Sequence, residues 1–99
     1  MNDKAREALV AAALTGVKQI KNRLDDGKTG RCAMGVLYES VGLDLHWNLF
    51  DKDMYGKIMR ARRKLGLTGM ECLEIMDAND NLGWDFLTIA RKIGTNDSE

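Results

Sequence analysis

The stretch Gly30-Arg31-Cys32-Ala33-Met34-Gly35-Val36-Leu37 decides how this chain folds. It follows a short polar loop, Asp25-Asp26-Gly27-Lys28-Thr29, and turns apolar at once. The glycines let the backbone turn sharply. Small residues at the start of the apolar segment let other elements approach its backbone closely. The pattern predicts a short central helix over 32–41, stopped by Gly42, with Cys32 in its first turn. Ala33, Val36, Leu37 and Val41 then face the core together. Residues 30–41 are expected to be the most enclosed element of an all-helical domain.

Upstream, residues 1–24 read as the first and longest helix, with Asp3 able to cap its start. Ala5, Leu9, Ala13, Val17, Ile20 and Leu24 recur at helical spacing. Residues 25–31 are a turn. Gly27-Lys28-Thr29 invites comparison with a phosphate-binding loop, but that motif needs a glycine five residues before its Gly-Lys pair. Asn22 stands there, which removes the nucleotide reading.

Downstream, residues 43–50 form an apolar, irregular connection that holds His46 and Trp47. A loop with such large side chains packs onto the domain or forms part of a contact surface. Residues 51–65 predict a third helix, buried along Met54, Ile58, Ala61 and Leu65 and stopped by Gly66. Acidic residues at its start and Arg60, Arg62, Arg63 and Lys64 at its end suit the helix macrodipole. Thr68 caps a fourth helix of about ten residues, with Glu71 in its first turn. In Asp77-Ala78-Asn79-Asp80-Asn81 the alternate residues suggest a calcium loop. That loop requires glycine at its sixth position and glutamate at its twelfth, where this chain has Leu82 and Thr88. Asn79, Asp80 or Asn81 is instead expected to cap a last helix over 84–93, buried along Phe86, Ile89, Ala90 and Ile93. A polar tail from about residue 95 frays.

Composition narrows the function classes. The chain has 99 residues, 44% hydrophobic and 30% charged, with no proline, which describes one globular helical domain. Fifteen basic and fifteen acidic residues give no net charge, so a generally basic nucleic-acid binder is not indicated. No apolar run approaches the ~18 residues of a membrane span. Two cysteines and no signal peptide imply reduced thiols and a cytoplasmic setting. The expected fold is all-α: a compact irregular bundle of about five helices in a single domain spanning 1–99.

Two stretches taken together carry a resemblance. Cys32-Ala33-Met34-Gly35-Val36-Leu37 resembles a C-A-[LM]-G-[AV]-[LI] signature. Further on, Ile75-Met76-Asp77-Ala78-Asn79-Asp80 and Phe86-Leu87-Thr88-Ile89-Ala90 resemble an I-x-x-x-N-D … F-x-x-[IV]-A signature. Both are similar to a family of small uncharacterised helical proteins of bacteria and their phages. Members often carry tryptophan or leucine before the Asn-Asp pair, where this chain has Ala78. The resemblance implies a cytoplasmic helical domain and no particular activity.

Three kinds of site follow from the residues. Cys32 sits near a helix N-terminus beside Arg31, where a thiolate is stabilised, and His46, the only histidine, is the base it would need. This makes Cys32 and His46 the catalytic candidates of a cysteine-nucleophile reading. Against it, cysteine is among the residues most often simply buried. Cys32, Cys72 and His46 lack the close pair spacing of a zinc site, so no metal and no cofactor is expected. Trp47, His46, Arg60, Arg62 and Arg63 are the candidates for a partner-binding surface. The expected function is a small non-enzymatic interaction or regulatory protein that binds a protein partner. Nucleic-acid binding through the basic end of the third helix is the other alternative, with no membrane role.

Overall fold

The computed structural model describes residues 1–27, 30–44 and 52–93. Among the described residues there are five α-helices: α1 (Asp3–Leu14), α2 (Ala33–Ser40), α3 (Met54–Leu65), α4 (Gly69–Asp77) and α5 (Phe86–Lys92). Among the described residues the only β-type pairing is a pair of isolated bridges that Arg31 makes with Gln19 and Asp25.

Helix α2 is the centre. Ala33 through Tyr38 are all buried, as befits a helix that is apolar on every side. It packs against α1, α3 and α4, while α5 lies along α1. Gly35 is required at the closest approach: a methyl group there would overlap the carbonyl oxygen of Leu24. That carbonyl also accepts the Cys32 N–H at 3.3 Å. The loop before α2 is therefore laid directly on the helix backbone, and Leu9, Leu37, Leu65, Ile75 and Ile89 close the core around them.

The first helix is shorter than its apolar spacing predicts. It ends at Leu14, not Leu24, because Gly16 adopts φ +77° and supplies a left-handed stop. Val17 N–H bonds Ala12 O at 3.0 Å and Gly16 N–H bonds Ala13 O at 3.3 Å, the paired bonds of a Schellman ending. Val17, Ile20 and Leu24 still pack on the core, but from an irregular loop. Helical spacing of apolar residues reports contact with the core, and here it continues past the helix itself.

The third helix ends where expected, with Gly66 at φ +65°. Thr68 and Glu71 form a full capping box at the start of α4. The Asn79 region is a correction. It does not cap the last helix; residues Ala78–Leu82 continue α4 as a π-helical turn, closed by Gly83 at φ +70°. The cap of α5 is Asp85, whose side chain accepts the Thr88 N–H at 2.8 Å.

Candidate functional site

The polar centre of the molecule is Asn79, the one buried polar side chain among the described residues, at 1% exposure. Its position follows from helical phase. Cys72, Ile75 and Asn79 fall on the same inward stripe, and the π-helical turn carries that stripe toward the loop that holds Gln19, Ile20 and Asn22. Asn79 Oδ1 accepts Gln19 Nε2–H at 2.8 Å and the Ala33 N–H at 3.0 Å. Asn79 Nδ2 donates to Ile20 O and to Asp80 Oδ1, each at 2.8 Å. A primary amide has two donors and two acceptor lone pairs, so every hydrogen-bonding position is taken.

Neighbours extend the network. Gln19 Nε2 also donates to Trp84 O at 2.7 Å. Asp80 Oδ1 accepts the N–H of Asn22 at 2.9 Å. Asn22 holds φ +64°, a left-handed backbone that asparagine tolerates better than most residues. One amide thus joins the irregular loop, the first turn of α2 and the π-helical turn. The two motifs quoted from the sequence, around Cys32 and around Asn79-Asp80, meet here.

Cys32 is the N-cap of α2. Its Sγ accepts the Gly35 N–H at 3.4 Å, in the role a serine hydroxyl often fills. The residue is 7% exposed. Burial pushes the thiol above its ordinary value and outweighs the N–H groups of Gly35 and Met34, while the charge of Asp80 adds to the rise. The helix N-terminus therefore does not yield a thiolate at neutral pH. Burial raises Cys72 as well, against the pull of Arg62, and it raises the Tyr38 hydroxyl. All three groups sit on the α2–α4 side of the core as neutral side chains.

The surface candidates separate. His46 and Trp47 lie outside the described residues. Arg60 is exposed and pairs with Asp53 at 2.7 Å. Arg63 is exposed in the last turn of α3. Arg62 turns the other way. It is half-buried, places Nη1 3.4 Å from the sulfur of Met59, and acts on Tyr38 and Cys72. Its Nε, shielded from solvent, has no hydrogen-bond partner among the described residues. Arg62 is thus a core-edge cation, not part of the face that Arg60 and Arg63 present.

Trp84 is half-buried on the core, with Lys92 Nζ 5.1 Å from its ring centroid. Among the described residues no group of His, Cys, Asp and Glu converges in metal-binding number, and no helix is long and apolar enough to cross a membrane. An open groove runs along α1, lined by Asp3, Arg6 and Glu7 at one end and by Val10, Ala11 and Leu14 at the other. No protein-family model, curated protein or solved structure matches the chain.

Sequence reasoning missed Gln19 and Asn22 and misassigned Asn79. The signal for Asn79 was present in its spacing from Cys72 and Ile75. An asparagine in the core phase of a helix must find partners for its whole amide. Nothing comparable marked Gln19, whose role depends on where an irregular loop runs.

Proposed function

We propose that the chain is a small non-enzymatic interaction protein that binds a protein partner through the outward face of α3. The observation that carries this reading is the build of that helix. Ala61 and Leu65 fix its inner side in the core, and Arg60, Arg63 and Lys64 stand exposed together on the outside. A rigid helix that presents cations at fixed spacing suits an acidic protein surface. The buried, protonated thiol of Cys32 and the saturated amide of Asn79 favour a binding role over a catalytic one. His46 and Trp47 precede α3 in the chain and belong to the same proposal.

The test is a pull-down of the tagged protein from bacterial lysate, the setting suggested by the two short motifs, with and without nuclease. The wild-type protein is expected to retain a stoichiometric protein band. The double substitution Arg60→Glu/Arg63→Glu should reduce that band about tenfold, the loss of roughly 1.4 kcal/mol of binding. Retention that vanishes with nuclease would replace the protein partner by nucleic acid. Equal retention by the double variant would sink the basic-face reading.

A further inference from the structure

The exposed side of α4 has a different character. Met70, Leu73 and Met76 are 66%, 63% and 47% exposed, at successive i, i+3 positions that form one slanting apolar stripe. Glu74 lies one turn from Met70, and Asp77 one turn from Leu73; both are exposed on the same side. The opposite side of the helix, Cys72 and Ile75, is locked in the core, and the Thr68–Glu71 capping box fixes its start. The stripe is therefore held outward by the fold. Along the chain its own charge is one-sided, although Arg62 reaches the start of the helix and the N-terminal ammonium pairs with Glu71. From Gly66 to Ala90 every charged residue is acidic: Glu71, Glu74, Asp77, Asp80 and Asp85.

We propose that the outer face of α4 docks a basic amphipathic helix of a protein partner. Three leucine- or methionine-sized contacts need an apolar stripe opposite them, and the interleaved carboxylates need cations beside that stripe. The same charge disfavours the other binders of apolar surface. An anionic membrane repels Glu74 and Asp77, and a nucleic-acid backbone does so more strongly. A second copy of this chain is a poor fit, because the outer side of its cationic helix α3 offers Tyr55 as its exposed large apolar side chain while Ala61 and Leu65 face inward. Methionines at both ends of the stripe let the surface adapt to partners of differing shape. This surface is separate from the basic face of α3 and stands or falls without it.

The experiment uses the whole protein and a dye-labelled synthetic peptide of about 18 residues, with leucine and lysine placed at the spacing of one amphipathic helix. The control peptide carries glutamate in place of lysine. Fluorescence anisotropy is expected to show the lysine peptide binding at least ten times more tightly than the control. The pair Glu74→Gln/Asp77→Asn should weaken binding about tenfold, and Leu73→Ser about fivefold. All of these positions are exposed, so thermal melting should match the wild type in each variant. Arg60→Glu/Arg63→Glu should leave peptide binding undiminished, which separates this surface from the one on α3. Binding unaffected by the α4 changes would overturn the proposal. So would equal binding of the acidic peptide. A concentration-dependent dimer in sedimentation, abolished by Leu73→Ser, would assign the face to a second copy and overturn the basic-helix occupant.

Discussion

The amide of Asn79 is buried and fully bonded, and its worth can be measured. Substitution by alanine leaves the buried Ala33 N–H without its acceptor and Ile20 O without its donor. Each orphaned group costs on the order of 1–3 kcal/mol, so Asn79→Ala should lose about 2–4 kcal/mol in urea unfolding. Asn79→Asp keeps the shape and both acceptors but loses the donors and sets a second carboxylate beside Asp80. It should be at least as damaging at neutral pH and should recover in part as the medium is acidified and the new carboxyl gains a proton. Glu71 behaves in the reverse sense. Burial pushes its carboxyl up from the ordinary 4.5, but hydrogen bonds from the N-terminal ammonium and the Thr68 N–H outweigh burial and hold it lower. The ammonium lies 2.6 Å from Oε2. A lowered folded value means that this contribution is complete above about pH 4.5 and drains as pH falls through the folded value. Cys32, Cys72 and Tyr38 are raised, chiefly by burial, from 9.0, 9.0 and 10.0. Their contribution is complete below about pH 9 and is lost as pH rises. Urea midpoints should therefore form a plateau between these limits. Glu71→Gln should make the acid side less steep and leave the alkaline side unchanged, with Asp85, held low by its bonds to Thr88, keeping part of the acid slope. A midpoint that climbed on acidification in the wild type would contradict this assignment.

At the scale of elements, local chemistry was legible wherever it acts through near neighbours. Thr68 and Glu71 stand three apart, and each fills the other's free backbone group, with Thr68 N–H to Glu71 Oε1 at 3.1 Å and Glu71 N–H to Thr68 Oγ1 at 3.0 Å. Thr68→Ala removes half of this exchange and should cost about 1 kcal/mol, read as a fall in melting temperature with an unchanged helical circular-dichroism signal. Gly66 as the stop of α3 was equally plain. The end of α1 was not. Thr15-Gly16 reads as a pair of small residues in a helix whose period runs on through Val17, Ile20 and Leu24. Those three keep the period because a loop pressed on the same core must also turn apolar groups inward. The cap of α5 was hidden by an excess of candidates: Asn79, Asp80, Asn81 and Asp85 all have capping side chains. The choice depends on a π-helical turn that adds a residue to the ring, and near-neighbour chemistry does not announce it. The apolar residues of α4 divide between its two sides: Ile75 is enclosed in the core, whereas Leu73 and Met76 point outward. Propensity and period locate a helix; how many of its sides are covered depends on the number of elements that reach it.

Across the whole molecule, neutrality conceals a separation of charge. Helix α3 carries Lys57, Arg60, Arg62, Arg63 and Lys64 and no acid, whereas the next stretch to Ala90 carries acids alone. The zero sum excluded a generally basic protein and said nothing of two opposed faces, because composition does not record position. The all-α class and the enclosure of α2 were readable from composition and from the run Cys32–Leu37. The joint between the two motifs was not, since it depends on side chains far apart in the chain. That joint has a consequence for how the protein is made. A chain leaving the ribosome usually folds from its N-terminal end. Here the loop after α1 gains its anchors at sequence separations of 58 to 65 residues, through Asn79, Asp80 and Trp84. Until the π-helical turn emerges, Gln19, Ile20 and Asn22 lack these partners and the Ala33 N–H lacks its acceptor. The joint between the irregular loop and the π-helical turn therefore closes only after Trp84 has left the ribosome.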